Sequence, residues 1–473
     1  MPNDATASTN VSMDSVTRPE NLSTRRLEFP PSFVWGSATS SYQIEGAVDS
    51  DGRVPSIWDT FSHTPGKTKD GRTGDVACDH YNRSAADVDL MASLNLDAYR
   101  FSIAWPRIVS DATGTVNSAG LDFYDRLVDD LLAQGIRPFP TLYHWDLPQY
   151  LDDLGGWLDR DTAYRFADYA NAVVGRLGDR IDTWTTLNEP FVSANHGYVT
   201  GEHAPGHTSM AEGMTASHHL LLAHGLAAER IRSSAPDARV AIVVNITATE
   251  AGSDSEADRL AAHHIDQLHN FWYTDPIGGF GYPADTAEYY DWDQSEVLDG
   301  DLDIISAPID LLGVNYYSRQ VVYDDREDTR DVPRNVMGWE IHPPSLGRVL
   351  RWLNDRYGFP GLMVTENGAP MPDTIRADGR IIDNDRIDYV SRHLAQVHEA
   401  IGDGVPMEGY LVWSFMDNFE WGWGYGPTFG IVEVEDETLR RIPKSSALWF
   451  ANAAAAGGFD FPVVPDAAGS SDG

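Results

Sequence analysis

The chain is 473 residues long and strongly acidic. It contains 34 Lys and Arg residues against 72 Asp and Glu residues, which gives a formal net charge of −38. Nucleic acids and anionic membrane surfaces are therefore disfavoured as partners, because both would repel this charge. The acidic excess has two interpretations: an ordinary solvated surface, or a surface adapted to high salt, where mutual repulsion is screened.

Cysteine content and apolar runs narrow the class of protein further. Cys78 is the only cysteine, so neither an internal disulfide nor a cysteine-based zinc site is available. No apolar run reaches the ~18 residues that span a membrane. The N-terminal stretch also lacks the apolar core of a secretion signal. We therefore expect a cytoplasmic protein with no membrane partner.

The chain shows no break typical of a domain linker. Residues 1–25 are polar and rich in Ser, Thr, Asn and Asp, which predicts a disordered N-terminal tail. Residues 457–473 are predicted to form a C-terminal tail. Between the two tails, residues 26–456 are expected to form a single catalytic domain.

Short apolar segments rich in β-forming residues alternate with longer helical patterns along this domain. Most of these segments are continuous apolar runs, as expected for parallel strands that are buried on both faces. The eight predicted strands are 33–39, 97–103, 137–145, 181–189, 239–247, 309–317, 361–368 and 409–415.

Helical periodicity is clear in two of the segments between strands. A stripe that extends from Ala163 to Leu177 predicts a helix, and Asp161 is placed to cap it. Eight strands that alternate with helices predict an α/β fold, a single (β/α)8 TIM barrel, although a doubly wound sheet has similar local signals. The other stripe precedes the third strand and consists of Leu121, Tyr124, Leu127, Val128, Leu131 and Leu132.

Polar side chains cluster where the apolar runs stop. In a barrel the C-terminal ends of the strands converge on one face, where the chemistry of this fold takes place. A doubly wound sheet would spread the same residues along an edge, so the cluster favours the barrel. Its members are Arg100, His144, Asn188, Glu189, Asn315, Glu366, Asn367 and the segment from Asp417 to Glu420.

Two of these residues, Glu189 and Glu366, are candidate catalytic carboxylates. Pro190 disfavours the α region for Glu189, so we expect the strand to stay extended to Glu189, while Gly368 lets the chain turn after Glu366. Two carboxyls across one cavity cannot both ionise cheaply, which separates an acid from a nucleophile. Glycoside hydrolysis needs this pair, about 5–5.5 Å apart for retention and about 6.5–9.5 Å apart for inversion. Arg100 could keep Glu366 ionised.

A sugar also needs polar groups for its hydroxyls and an aromatic plate for its C–H face. Alone, each candidate has an ordinary structural explanation, such as a loop hydrogen bond for Gln43 or a core position for Trp413. Their shared position after predicted strands is what favours a sugar site. The candidates are Gln43, His144, Asn188, Asn315, Glu420 and Trp413.

Several motifs together resemble glycoside hydrolase family 1, the β-glucosidase family. They are FVWGSATSSYQIEGA (33–47), YHWDLP (143–148), TLNEP (186–190), GVNYYS (313–318), VTENG (364–368) and VWSFMDNFEW (412–421). The matches follow the family's order from about residue 28 to residue 450. The resemblance implies a (β/α)8 barrel that hydrolyses terminal β-glucosyl residues with retention, without cofactor or metal.

The resemblance also implies roles for individual residues. Glu189 corresponds to the acid/base and Glu366 to the nucleophile. Arg100, Asn315 and Tyr317 would orient the nucleophile. The residues that would bind the substrate are Gln43, His144, Asn188, Trp413, Glu420 and Trp421, with Trp339 on the aglycone side.

Some features bear on substrate choice. Glu420 would repel the phosphate of a 6-phospho-β-glucoside, and the presence of Glu189 argues against the plant thioglucosidases. Asn195 and His196 stand where relatives commonly have apolar or aromatic residues, which puts the preferred leaving group in doubt. β-Galactosidase, β-fucosidase and 6-phospho-β-glucosidase activities therefore stay open beside β-glucosidase activity.

The sequence leaves open whether the chain forms a homo-oligomer. Two alternatives from other functional classes also stay open. One is a catalytically inactive sugar-binding barrel, although neither carboxylate is missing. The other is a metallohydrolase, suggested by the EHAPGH stretch (202–207) and by several histidine pairs. These are His218–His219, with His224 nearby, and His263–His264, all in helical patterns where adjacent side chains diverge.

Overall fold

The computed structural model describes residues 23–462, and its centre is a closed barrel of eight parallel strands. All eight predicted strands are confirmed, with slightly different ends, and the (β/α)8 barrel is confirmed with them. The strands are β1 Val34–Ala38, β2 Ala98–Ser102, β3 Arg137–Tyr143, β4 Thr183–Asn188, β5 Arg239–Asn245, β6 Leu311–Asn315, β7 Leu362–Asn367 and β8 Met407–Trp413. Each strand pairs with the next along the chain, and β8 pairs with β1 to close the ring.

Helices connect the strands and cover the outside of the barrel. No helix within residues 23–462 is both long and apolar enough to cross a membrane. The α-helices are Ser41–Ile44, Ile57–His63, His80–Ser93, Trp105–Ile108, Ser118–Ala133, Gln149–Asp152, Asp161–Leu177, Pro190–Ala194, Met210–Ser234, Glu256–Asp266, Trp272–Ile277, Ala284–Tyr289, Asp301–Ile305, Pro343–Tyr357, Asn384–Gly402 and Ser445–Ala455. Short 3-10 turns lie at Gly156–Leu158 and Trp421–Trp423, and π-helical turns at Asn195–Val199 and Gln267–Phe271.

Both predicted helical stripes lie on helices, with one error in each. The helix Asp161–Leu177 begins at Asp161, so Asp161 is not its cap; the Asp159 carboxylate accepts the Asp161 N–H at 3.0 Å. Leu132 lies outside the buried stripe of the helix Ser118–Ala133 and is 41% exposed. It directly follows the buried Leu131, and adjacent helical residues point about 100° apart.

Four two-stranded sheets lie outside the barrel, and one of them joins the two ends of the described chain. Thr24–Glu28 pairs antiparallel with Gly458–Pro462, and Leu27 and Phe459 enter the core. The ordered fold therefore extends past both predicted domain boundaries, while residues 1–22 and 463–473 of the predicted tails lie outside the described residues. The remaining pairs are Ala248–Ala251 with Arg319–Val322, Thr374–Ile375 with Ile381–Ile382, and Val432–Val434 with Arg441–Pro443.

The barrel interior is filled by a small apolar cluster distinct from the larger core between strands and helices. Adjacent residues of several strands belong to different clusters, as the period of two in a strand requires: Val34, Leu311 and Leu411 face the interior, and Trp35, Leu312 and Val412 face the outer core. The interior cluster includes Val34, Ala98, Phe139, Ala241, Leu311, Met363 and Leu411. This packing closes the barrel, so a cavity can open only where the strands end.

Candidate active site

A cavity of about 790 Å³ opens at the C-terminal ends of the barrel strands. Side chains that come directly from, or just after, several different strands line its wall, among them His144, Glu189, Asn315, Glu366 and Trp413. The sequence prediction that the polar strand ends converge on one face is thus confirmed for these residues. A cavity of this size suits a small organic ligand.

Glu189 reaches the cavity from a backbone conformation that the sequence did not indicate. The strand β4 ends at Asn188, and Glu189 is left-handed, with φ of 48° and ψ of 67°. Pro190 begins a short helix, Pro190–Ala194, so Glu189 makes the turn between strand and helix. The expectation of an extended Glu189 is therefore wrong, because the proline disfavours only right-handed helical backbone at this residue.

Glu366 lies within β7 and is almost completely buried. Its Oε1 accepts a hydrogen bond from the Arg100 guanidinium at 2.6 Å, and its Oε2 accepts one from the Tyr317 hydroxyl at 2.5 Å. Gly368 follows without a positive φ; a side chain there would overlap the carbonyl oxygen of Trp413. Gly368 is thus needed for close packing of two strand ends, not for the predicted turn.

Two asparagines link the neighbourhoods of the glutamates. The Asn188 Oδ1 accepts hydrogen bonds from Arg100 at 2.7 Å and from Asn315 at 3.1 Å. The Asn315 amide also donates to Glu189 Oε1 at 2.6 Å. Five predicted residues therefore form one continuous hydrogen-bonded network: Arg100, Asn188, Asn315, Glu189 and Glu366. Arg100, Asn188 and Asn315 each make more than one hydrogen bond in it, which fixes their positions.

The two carboxyls have different electrostatic surroundings. Burial raises the pKa of Glu189, and the nearby charge of Glu366 raises it further, to about 8. Burial raises the pKa of Glu366 above its ordinary value as well, but the charge of Arg100 and the hydrogen bond from Tyr317 oppose this rise. Glu366 therefore ionises first, and Glu189 keeps its proton at neutral pH. The arrangement supplies one acid and one carboxylate at the same cavity.

The predicted hydroxyl-binding residues occupy two layers. His144 and Glu420 line the cavity, whereas Gln43 is fully buried behind it and donates a hydrogen bond to Glu420 at 3.4 Å. Gln43 also donates to Asn418 at 2.9 Å. Burial and the charge of Glu366 raise the pKa of Glu420 to about 8. Asn188 likewise lies behind the wall and donates to His144 at 3.0 Å.

The predicted aromatic residues all line the cavity. Trp413 is buried, and its ring stacks on His144 with centroids 5.9 Å apart. The Trp421 ring is also stacked relative to His144, with centroids 6.1 Å apart. Trp339 is half-buried and packs edge-on against Tyr317 at 5.7 Å. The rings therefore provide apolar plates next to the carboxyl groups.

Sequence reasoning missed four aromatic residues in the wall, Trp145, Tyr323, Trp423 and Phe429. Trp145 has a positive φ of 77° and donates to the Asn188 carbonyl at 3.0 Å. Its place in YHWDLP, directly after His144, was the available signal. Phe429 packs against Trp339 with centroids 6.2 Å apart, a contact that no local pattern reveals.

The histidines that suggested a metal site are dispersed. His218 contacts Asp301 at 2.9 Å, His224 contacts Thr186 at 2.7 Å, and His263 contacts Asp285 at 2.6 Å. Across residues 23–462, no group of three or more His, Cys, Asp or Glu side chains is arranged to hold a metal ion. The geometry thus gives the metallohydrolase alternative no support.

Comparison with known proteins agrees with this site. The sequence model of Glycosyl hydrolase family 1 matches residues 25–459. Beta-glucosidase A of Thermotoga maritima is 45% identical over 90% of this chain and 97% of its own length. The bifunctional beta-D-glucosidase/beta-D-fucosidase of Bifidobacterium breve is 46% identical over 89% and 97%.

A solved structure extends the comparison to three dimensions. The Thermotoga maritima beta-glucosidase in complex with glucoimidazole superposes with a TM-score of 0.88. It is 44% identical in sequence, and the match covers 91% of this chain and 100% of that chain. With a family match over nearly the whole chain, a shared barrel and a carboxylate pair in one cavity, this chain belongs to glycosyl hydrolase family 1.

Proposed function

We propose that this chain is a retaining β-glycosidase that removes terminal non-reducing β-D-glucosyl residues from β-glucosides or short oligosaccharides. One observation carries the proposal: Glu189 and Glu366 are both buried at one cavity, and of these two only Glu366 is paired with a cation, Arg100. Small-molecule substrates of this kind fit both the cavity volume and the aromatic plates in its wall.

In the first step, the carboxyl of Glu189 gives its proton to the glycosidic oxygen. The carboxylate of Glu366 attacks the anomeric carbon as the bond to that oxygen breaks, and the alcohol leaves. Tyr317 and Arg100 hold the two oxygens of Glu366 at 2.5 and 2.6 Å, so the carboxylate is already oriented for attack. The product of this step is a covalent glycosyl-enzyme.

In the second step, the Glu189 carboxylate takes a proton from water. That water attacks the anomeric carbon, the bond to Glu366 breaks, and the sugar leaves with its original configuration. Two inversions at one carbon give net retention. A spacing of about 5–5.5 Å between the carboxyls stays the prediction for this mechanism.

The family relatives and Glu420 together favour an unphosphorylated glucoside. A 6-phosphate would meet the Glu420 carboxyl and the negative charge of Glu366, with Arg100 already bound to Glu366. β-Fucosidase activity is the second candidate, supported by the Bifidobacterium breve relative whose name includes it. Hydrolysis of nitrophenyl β-glucoside, β-fucoside and β-galactoside by one preparation would rank the three.

The roles of the two glutamates can be separated with azide. Replacing Glu366 with alanine removes the nucleophile, and we expect kcat to fall on the order of 10⁵-fold. Azide would enter the vacated face and form the α-glucosyl azide from dinitrophenyl β-glucoside. Replacing Glu189 with alanine leaves Glu366 able to attack the same activated substrate, so azide would trap the intermediate as the β-glucosyl azide.

Substitution Glu229→Ala on the exposed side of the helix Met210–Ser234 is the matched control. It removes a carboxylate far from the cavity and should leave kcat and the product unchanged. Azide products of the opposite configuration would reverse the assignment of the two glutamates. An unaltered chain that binds but does not cleave activated glucosides would establish the inactive sugar-binding barrel.

We also propose a cytoplasmic location, supported by the single buried thiol of Cys78 and the resulting lack of any internal disulfide. Cell fractionation with activity assays would test this location. Activity found in the medium or the envelope fraction would contradict it. Whether the chain forms a homo-oligomer would be determined by light scattering on the same preparation.

A further inference from the structure

Trp423 is an exposed aromatic ring at the rim of the active-site cavity. It ends the 3-10 turn Trp421–Trp423, lines the cavity and is 36% exposed. The Lys69 ammonium lies 2.7 Å above the centre of its ring. Lysine covers one face of the indole, which leaves the other face as the one on which a ligand can stack.

The segment 67–73 holds this ring in place. The Lys69 N–H donates to the Gly422 carbonyl at 2.9 Å, and Asp70 accepts the Tyr425 N–H at 2.8 Å. Arg72 lies over the Tyr425 ring at 3.9 Å. The loop that carries Trp423 is thus attached to a neighbouring segment on both sides of the tryptophan. A ring fixed in this way loses little conformational entropy when it binds a ligand.

Two polar side chains share this part of the wall with Trp423. Glu202 and His203 also line the cavity, and the Glu202 carbonyl lies 3.5 Å from the point where a Cβ on Gly422 would stand. The Glu202 side chain is 72% exposed. The His203 ring lies 6.4 Å from Trp421, and burial keeps the pKa of His203 well below its usual range, so it is neutral.

An aromatic face, an accessible carboxylate and a neutral imidazole form a sugar-binding set. The ring stacks on the C–H face of a pyranose, and the carboxylate and imidazole bind its hydroxyls. Trp339 packs instead against Tyr317 and Phe429, with centroids 5.7 and 6.2 Å apart. Trp423 lies on a different loop from Trp339. It therefore provides an aromatic plate in addition to Trp339, outside the catalytic hydrogen-bond network.

We propose that Trp423, Glu202 and His203 form an outer subsite that binds a further glucose ring of a β-linked oligosaccharide. This inference rests on the proposed β-glucosidase function. The terminal ring reacts between Glu189 and Glu366, and the outer subsite binds a ring farther along the chain. Lys69 acts as a positioning residue that keeps the indole in its place. The outer subsite therefore favours oligosaccharides over glucosides with small leaving groups.

Two substrates distinguish this subsite from the catalytic network. β-Glucosyl fluoride has an atom-sized leaving group and cannot reach Trp423, whereas cellotriose carries two further rings. For Trp423→Ala, we expect the ratio of kcat/KM for cellotriose to kcat/KM for the fluoride to fall about fivefold to tenfold. Trp423→Phe, which retains an aromatic face, should restore most of the ratio.

Glu202→Ala provides a second variant, on a side chain that is 72% exposed and whose carboxylate lies 3.7 Å from His196. The expected fall in the same ratio is about twofold to fivefold. Tyr289→Ala is the control, because Tyr289 is a 59% exposed aromatic outside the cavity lining. A ratio that is unchanged in both Trp423→Ala and Glu202→Ala would overturn the outer subsite, and if Trp423→Ala does not fold, an unchanged ratio in Glu202→Ala would do so alone. Failure of the unaltered chain to hydrolyse either substrate would instead overturn the β-glucosidase function.

Discussion

The two glutamates acquire different properties from their immediate neighbours. Both are buried, and burial raises the pKa of both. Glu366 receives hydrogen bonds from Arg100 and Tyr317, which stabilise its carboxylate form. Glu189 receives its hydrogen bond from the neutral amide of Asn315 and faces the charge of Glu366. Arg100 therefore decides which of two identical side chains becomes the nucleophile.

The hydrogen bond from Tyr317 makes a prediction about pH. Tyr317 lowers the pKa of Glu366, so the change Tyr317→Phe should raise that pKa. Because Glu366 must be ionised to attack, the acid limb of the kcat/KM profile should move to higher pH. At the pH optimum, kcat/KM should fall about tenfold to 100-fold, the value of a hydrogen bond to a charged group.

The alkaline limb supplies an internal reference for this experiment. It depends on Glu189, whose pKa of about 8 means that the acid form is present below that pH and is lost above it. Tyr323→Phe is the matched control, since Tyr323 also lines the cavity but is not among the hydrogen-bond donors to Glu366. An acid limb that stays in place in Tyr317→Phe would show that Tyr317 does not tune the nucleophile.

At the same scale, some of the site could be predicted from sequence and some could not. Polar residues at the ends of apolar runs, such as Glu366 and Asn315, were identifiable because barrel topology brings strand ends together. The left-handed backbone of Glu189 was not, because the proline rule allows more than one conformation. The burial of Gln43 behind Glu420 depends on contacts between segments almost 380 residues apart, and no local pattern encodes them.

At the level of elements, the pattern of hydrophobic residues along the sequence identified the strands and helices. It assigned some residues to the wrong face of an element. The strands were identifiable because burial on both faces makes them continuous apolar runs. In the helix Ser118–Ala133, the adjacent Leu131 and Leu132 were both assigned to the core, but Leu131 is 0% exposed and Leu132 is 41% exposed. The pairing of Thr24–Glu28 with Gly458–Pro462 is a non-local contact and had no signal in either segment.

The two leucines give a direct test of this helix register. Leu131→Ala should lower the free energy of unfolding by about 3 kcal/mol, because it removes buried methyl groups and leaves a cavity. Leu132→Ala should change it by less than about 0.5 kcal/mol, because much of its side chain already contacts water. Urea unfolding followed by tryptophan fluorescence would measure both. Equal losses in the two variants would contradict the register.

For the whole molecule, charge is the dominant unexplained property. The 34 Lys and Arg residues cannot neutralise 72 Asp and Glu residues, so 38 acidic groups lack a basic counterpart even if every cation is paired. Paired examples exist, such as Arg176 and Arg180 with Asp122, Asp125 and Asp129. Surface pairs of this kind contribute only about 0–1 kcal/mol each. We therefore expect repulsion among the remaining carboxylates to outweigh what the pairs supply.

This balance determines the expected response to salt. Raising NaCl from about 0.05 M to about 1 M shortens the screening length from above 10 Å to about 3 Å. The repulsion between carboxylates that salt removes should then exceed the attraction that it removes from the surface ion pairs. We expect the Tm at pH 7.5 to rise with NaCl and activity to persist into molar salt. Near pH 5, close to the pI of about 4.5, the net charge is small and the gain should largely disappear. Thermal scans across a NaCl series at both pH values would measure this difference. A Tm that falls with salt at pH 7.5 would show that the ion pairs dominate, and the high-salt interpretation of the acidic surface would then be wrong.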